Sequence, residues 1–377
     1  MIIPFVLNFL LWGSLGISFV TMVFWLYEQY VAWSRYEEPE IEHPPEAVQV
    51  RILTIGTDPA LIQQTVDSLP DAVADIHVIT EQSINITNAT VNVVPKSFSC
   101  VADKKGRALE WARQEVPCNK EFVLYLDEDS QAHTFEGLPE ADIVQFGEKP
   151  YKTDSWITYL VEVFRMGFQV EMRGFYSFDV PLYAWGGGIA VRSSLEDKVT
   201  WDFKSIVEDT SFVWRAAKDH DVDFKYCNTK FRNQAPPSLR ALIQQRRRWF
   251  AGSVSEAGLL PRRFMYLSLL RNTSWMISAF IPLMMLGIIF PLPLFTPFDS
   301  FTVLSVGLAT FTFFWGITGT RYMDEKYLLA GAILVVTPVL SLINSFGAVY
   351  GTIRPPDGFE VTEKASDSTI TNVAESD

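Results

Sequence analysis

The chain has 377 residues with 44 Asp and Glu against 31 Lys and Arg, giving a formal net charge of −13 and a sequence pI near 4.9. That surplus repels phosphate backbones and excludes a nucleic-acid partner, while suiting plain solubility or a solvated surface in high salt. Three cysteines, Cys100, Cys118 and Cys227, are odd in number and lack metal-ligand spacing, which excludes a disulfide framework and favours a reducing compartment.

In chain order, residues 1–27 carry no charge and are long enough to span a bilayer. They lack the basic start and small-residue cleavage site of a secretory signal, so they are read as a transmembrane helix. The acidic stretch 28–46, with Pro39, Pro44 and Pro45, reads as a linker.

A globular block follows over 47–265. Val50–Ile55 and Asp75–Thr80 are short strand patterns separated by a helical pattern from Pro59 to Leu69, and a third strand is expected over Val91–Val94. Residues 103–115 have helical composition, and Glu121–Leu126 is a buried-strand pattern that ends in Asp127-Glu128-Asp129. This alternation predicts an α/β fold with acids at a strand's carboxyl end, the edge where open α/β sheets bind ligands. Further helices are expected over 208–219 and around Gln244–Phe250.

Three more uncharged runs, 272–298, 300–320 and 327–353, complete a membrane portion of four helical segments within 266–353 and the amino terminus. Residues 354–364 form a separate segment, and 365–377, rich in Ser, Thr and acids, read as disordered.

Several clusters carry chemistry. Three successive carboxylates at 127–129 repel one another unless a cation joins them; Asp127 and Asp129 suit Mg²⁺ or Mn²⁺ with a diphosphate, although a solvated acidic turn has the same composition. Lys104, Lys105 and Arg107 at a helix start suit phosphate. Trp185 beside Gly186 and Gly187 suits a sugar ring close to main chain, and equally a Gly-rich turn. Glu208 and Asp209 open a helix, where acids also complement the helix dipole. In Gln244-Gln-Arg-Arg-Arg-Trp249 the cations suit a diphosphate or anionic lipid headgroups, and the Trp suits an interfacial anchor.

In this order, the carboxylates after a strand, the later Asp209 and a Gln-x-x-Arg-Trp before membrane runs resemble the family 2 membrane glycosyltransferases, related to cellulose and hyaluronan synthases. Phe359-Glu-Val-Thr362-Glu-Lys364 resembles the gating segment of the cellulose synthase group. Val94-Pro-Lys96, Lys105-Gly-Arg107-Ala-Leu109, Leu126-Asp-Glu-Asp129, Pro181-Leu-Tyr-Ala-Trp185, Glu208-Asp209 and Gln244–Trp249 are most similar to the egghead family of β-1,4-mannosyltransferases.

The resemblance covers roughly residues 50–364 and implies a GT-A fold, a Rossmann-like mixed sheet that binds nucleotide sugars. It implies a membrane-bound, metal-dependent, inverting hexosyltransferase. The donor it implies is GDP-mannose, with UDP-glucose left open by the residues, and the acceptor would be lipid-linked or a glycolipid. By position, Asp209 would be the general base with Glu208 beside it, and Asp127 and Asp129 the metal carboxylates. Thr54, Asp58, Glu81, Lys105, Asp127, Gln245, Arg248, Trp249, Thr362 and Lys364 would face the donor, and Trp185, Gly186, Gly187 and Trp249 the acceptor. Glu81 departs from the family, which usually has Asp in that region.

The rival within enzymes is a processive polysaccharide synthase, for which four short-looped spans are few; a transporter or scaffold leaves the ordered motifs unexplained. Arg246, Arg247, Arg248, Arg262, Arg263 and Arg271 precede the second run, so the positive-inside rule places the catalytic block in the cytoplasm, at the cell membrane. Three crossings after that block would put 359–364 outside, so either one run fails to cross or the tail is no gate. Pro282, Pro291 and Pro293 make 272–298 the best candidate for a broken helix.

Overall fold

The computed structural model describes residues 2–177, 180–281, 298–358 and 364–365. Its centre is a seven-stranded sheet in the order β3-β2-β1-β4-β6-β5-β7. The strands are β1 (Val48–Thr54), β2 (Asp75–Thr80), β3 (Thr90–Val93), β4 (Phe122–Asp127), β5 (Ile143–Tyr151), β6 (Ile189–Arg192) and β7 (Phe224–Gln234). The first four run parallel, β6 is antiparallel to both β4 and β5, and β7 is parallel to β5.

Side chains alternate between two covered faces, so β1 is buried along its whole length and β4 up to Asp127, with Gln49 and Arg51 buried among the apolar residues of β1. Val50, Ile52, Leu124 and Leu126 face one core with Ile62 and Val66 of α2 (Pro59–Asp67). Leu53, Val123 and Tyr125 face the other, with Leu109 and Ala112 of α3 (Lys104–Glu115). With both faces covered, the strand ends are left to supply ligand-binding loops.

The other helices of this block are α4 (Trp156–Arg165), α5 (Ser193–Val199), α6 (Glu208–Asp219), α7 (Leu239–Ser255) and α8 (Arg262–Ser278). Ser155 and Ser238 cap α4 and α7 by accepting the amides of Thr158 and Ala241, satisfying donors that a helix start leaves free.

Among the described residues three helices are long and apolar enough to cross a membrane, spanning Asn8–Ser34, Ser300–Tyr322 and Tyr327–Ile353. They belong to α1 (Ile2–Ser34), α9 (Phe298–Tyr322) and α10 (Tyr327–Ile353). Trp25 of α1 packs against Phe311 and Trp315 of α9, which fastens the first span to the later ones. The fourth expected segment, 272–298, falls largely outside the described residues; its beginning closes α8. α1 also runs past residue 27 to Ser34, because Glu28 is buried against Arg271 of α8 and the helix continues through that contact.

Lys364 lies at the sheet's carboxyl edge, beside Asp129. Of the two alternatives the sequence leaves open, this placement fits the one in which a hydrophobic run fails to cross. α9 and α10, joined through 323–326, form a helical hairpin, and the chain after it reaches the catalytic side.

Candidate active site

β4 delivers Asp127 as its last residue, and the turn behind it is closed by the Ser130 amide donating to the Asp127 carbonyl at 3.0 Å. The three carboxylates then separate. Glu128 turns to β1 and accepts the Thr54 hydroxyl. Asp129 is buried, and its Oδ2 accepts the Gln234 amide at 3.0 Å and meets Lys364 Nζ at 2.6 Å. Asp127 Oδ1 lies 2.9 Å from Lys105 Nζ.

Lys105, at the start of α3, is the hub. The same ammonium lies 3.2 Å from Asp209 Oδ2 and 3.4 Å from Glu208 Oε1, both in the first turn of α6. Burial alone would lower the Lys105 pKa, but Asp127, Asp209 and Glu208 outweigh it and hold it well above the ordinary value. Burial pushes Asp127 up, yet Lys105, Lys364 and Arg248 together hold it below the usual range. Asp209 is pushed up to about 7 by burial; Lys105 opposes the shift, while Glu208 and Asp127 add to it.

Gly186 presses its backbone on Asp209: a Cβ there would lie 2.1 Å from Asp209 Oδ2. The loop is pinned by the buried Gln145, which accepts the Trp185 amide at 2.9 Å and donates to the Gly188 carbonyl at 2.7 Å. The glycines also make room for the Trp185 indole, which a Cβ at Gly187 or Gly188 would strike. On α7, Trp249 sits between Arg246 and Arg165, at 4.4 and 5.3 Å, and Arg248 donates to the Ile206 carbonyl at 2.9 Å.

One cavity of about 660 Å³ is lined by Thr54, Glu81, Lys105, Asp127, Asp129, Trp185, Gly186, Glu208, Asp209, Gln245, Arg248, Trp249 and Lys364. Two sequence candidates fall elsewhere. Asp58 caps α2 by accepting the Leu61 amide, and Gly187 packs between Ser130 and Trp185. Thr362 lies outside the described residues.

For a divalent ion the site offers hard oxygen donors. Asp127, Glu128, Asp129, Glu208 and Asp209 line the cavity together, near Lys105, Arg248 and Lys364. Glu208 Oε2 is buried and accepts no hydrogen bond among the described residues. The donor set therefore fits a metal. A separate cluster, His43, Glu121 and Glu140, lies outside the cavity, and Arg192 pairs with both of its carboxylates.

The profile described as glycosyl transferase family group 2 matches residues 122–319, just over half of the chain. The chain belongs to that family. Two curated relatives are similar over most of their length. The β-1,4-mannosyltransferase bre-3 of Caenorhabditis briggsae is 25% identical over 83% of this chain and 78% of its own. The β-1,4-mannosyltransferase egh of Drosophila melanogaster is 23% identical over 84% and 77%. Among solved structures, the mannosyltransferase PcManGT from Pyrobaculum calidifontis, in complex with GDP-Man and Mn²⁺, superposes with a TM-score of 0.52 at 13% identity. That match covers 85% of this chain and all of that one, a likeness of fold.

Sequence reading of this family 2 glycosyltransferase gave Glu128, the middle acid of the cluster, no role of its own, and missed Gln145 and Gln234. Gln234 ends β7, and its amide side chain bonds the Ala365 backbone in both directions, at 2.9 and 3.3 Å, beside Lys364. No local pattern marks a Gln that ties a carboxylate turn to a segment more than a hundred residues away. Glu81 pairs with Arg107 at 2.7 Å, so one member of the basic cluster is already engaged there.

Proposed function

We propose that this family 2 glycosyltransferase is a membrane-bound, inverting, metal-dependent enzyme that transfers mannose from GDP-mannose to a lipid-linked or glycolipid acceptor. The observation that carries the reading is the meeting of Asp127, Glu208 and Asp209 around one ammonium, in a cavity that continues between the membrane helices. The sugar and nucleotide rest on the likeness to the mannosyltransferases named above.

In such a transfer the acceptor hydroxyl attacks the anomeric carbon opposite the departing diphosphate, and its proton must leave on the attacking side. Asp209 takes it. Its pKa near 7 places it close to the working range for a general base, and Gly186 lets the main chain come near without covering the carboxylate. Lys105 and Arg248 stabilise the charge that grows on the leaving diphosphate, the electrostatic contribution that often supplies most of the rate. Asp127 and Asp129 would hold Mg²⁺ or Mn²⁺, which neutralises the diphosphate when bound. Gln245 and Trp249 border the diphosphate and acceptor, with Trp185 and Gly186 on the acceptor side.

The catalytic unit is assigned to 47–265 and the membrane unit to 266–353, with α1 preceding both. By the positive-inside rule, the arginines before and within α8 support a catalytic unit on the cytoplasmic side of the cell membrane. The arrival of Lys364 at Asp129 supports a role for the tail on the donor side. A donor panel on the full chain in membranes tests the reading. GDP-mannose should give single additions to lipid with Mn²⁺ or Mg²⁺; exclusive use of UDP-glucose, or a ladder of products, would replace it.

A further inference from the structure

α10 is long enough to cross a bilayer, yet both of its ends are held by the catalytic unit. At the turn before it, Asp324 Oδ2 lies 3.4 Å from Lys230 Nζ of β7 and 3.6 Å from Lys149 Nζ of β5, and Glu325 accepts the Tyr159 hydroxyl of α4. At its far end, Arg247 of α7 donates from Nε to the Arg354 carbonyl at 2.6 Å, and its guanidinium lies 4.8 Å from the Tyr350 ring. A helix of 27 residues measures about 40 Å against a hydrocarbon layer of roughly 30 Å, so an upright α10 would carry its last turn to the opposite face.

Contact with the catalytic unit continues between the ends. Leu329, Ile333, Leu340 and Ile343 join one apolar cluster with Phe164 of α4 and Leu242 of α7. Asn344 Oδ1 accepts Arg246 Nε at 3.1 Å. Farther on, a Cβ at Gly347 would lie 2.9 Å from the Ile243 carbonyl oxygen, and one at Gly351 would lie 2.9 Å from that of Arg247. Both partners advance by one helical turn between these contacts, so α7 and α10 run side by side in the same direction. α7 carries an exposed Arg240 as well as Arg247, which keeps it out of the hydrocarbon centre, and α10 is held at its level. The opposite face of α10 is apolar. Leu328, Val335, Val339, Leu342, Phe346 and Ile353, at spacings of three, four and seven, form one exposed stripe.

We propose that α10 lies along the catalytic unit within the near leaflet, with this stripe against the acyl chains, and does not cross the bilayer. The hydrophobic run that fails to cross is then 327–353, and the chain after it stays on the side where Lys364 meets Asp129. Acyl chains remove the stripe from water while the polar inner face keeps its partners on α7. The placement goes beyond the transferase reading and needs neither its donor nor its acceptor.

The test uses the full chain in sealed vesicles of one orientation and a membrane-impermeant maleimide. Peptide mass spectrometry separates each engineered thiol from Cys100, Cys118 and Cys227. Tyr327→Cys and Arg354→Cys should both be labelled from the side that labels Glu136→Cys of the catalytic unit. Labelling of Arg354→Cys only from the opposite side overturns the proposal. If either end thiol resists the reagent on both sides, depth decides. For that reading Val339→Cys, with the native cysteines replaced by Ala and a melting temperature matching wild type, carries a bimane in bilayers containing lipid nitroxides at carbon 5 or carbon 14 of the acyl chain. An in-plane helix sits about 5–10 Å into the acyl boundary, whereas an upright one places Val339 about 15 Å deep. Quenching should be at least twofold stronger from carbon 5. A smaller ratio overturns the in-plane placement, and no quenching from either position means that protein covers the stripe and overturns the lipid contact. Should the cysteine-free background melt early, the labelling result decides.

Discussion

Gly186→Ala isolates the placement of the base from its chemistry. The Cβ would fall 2.1 Å from Asp209 Oδ2, 2.3 Å from its Cγ and 2.4 Å from Oδ1. A carbon and an oxygen normally rest roughly 3.3 Å or more apart, so the carboxylate must retreat by about 1.2 Å. A misplacement of about 1 Å in a reacting group costs on the order of 10²-fold, or about 2.7 kcal/mol of barrier. Steady-state transfer of labelled mannose should therefore show kcat reduced about 100-fold, since a shifted base is felt in the transition state. GDP affinity should hold, because the three atoms nearest the methyl group all belong to Asp209. A variant with kcat within about threefold of wild type would refute the claim that this carboxylate's position limits the reaction.

Further outcomes follow from the same geometry. Asp209→Asn should lower transfer by roughly 10²- to 10⁴-fold while donor binding persists in titration calorimetry. Asp127→Ala with Asp129→Ala should abolish the Mn²⁺ dependence of GDP binding, and EDTA should stop turnover in the wild type until Mn²⁺ or Mg²⁺ is restored. Asp209 must be deprotonated to accept a proton, so kcat/KM should rise with pH through the neutral range. Lys105→Met removes the cation that lowers the Asp209 pKa, so residual activity should rise at higher pH than in wild type. Arg246→Met leaves the buried Glu162 with Arg165 as its remaining partner, and should cost about 3 kcal/mol, read as a lower melting temperature in detergent.

The parallel half of the sheet was legible because β1, β2 and β4 are short stretches rich in Val, Ile and Leu bounded by turn residues, and Asp127 stands where such a strand must end. The edge strands were harder. β7, Phe224–Gln234, mixes Lys, Asn, Arg and Gln with its apolar residues, because much of it is only half-buried, and it carries no run that periodicity can detect. β6 is four residues long and follows a glycine turn, so its reversal against β4 depends on tertiary pairing.

In the site, carboxylates could be named from sequence, but not which cation joins them. Lys105 was expected to face the nucleotide, and it also bridges three acids from two elements. The ion pair of Glu28 with Arg271 was hidden for a different reason. Glu28 begins the acidic stretch that composition reads as a linker, and nothing local distinguishes an acid destined for a buried guanidinium from one facing water.

The central claim is that one cavity binds the donor through Asp127 and Asp129 and removes the acceptor's proton through Asp209. Its most direct test is a single-turnover reaction of the purified full chain with labelled GDP-mannose, Mn²⁺ and native membrane lipid, with the product's anomeric configuration read by NMR. The account predicts a β-linked product from wild type and, from Asp209→Asn, bound donor that is not consumed. An α-linked product, or wild-type turnover by Asp209→Asn, would contradict it.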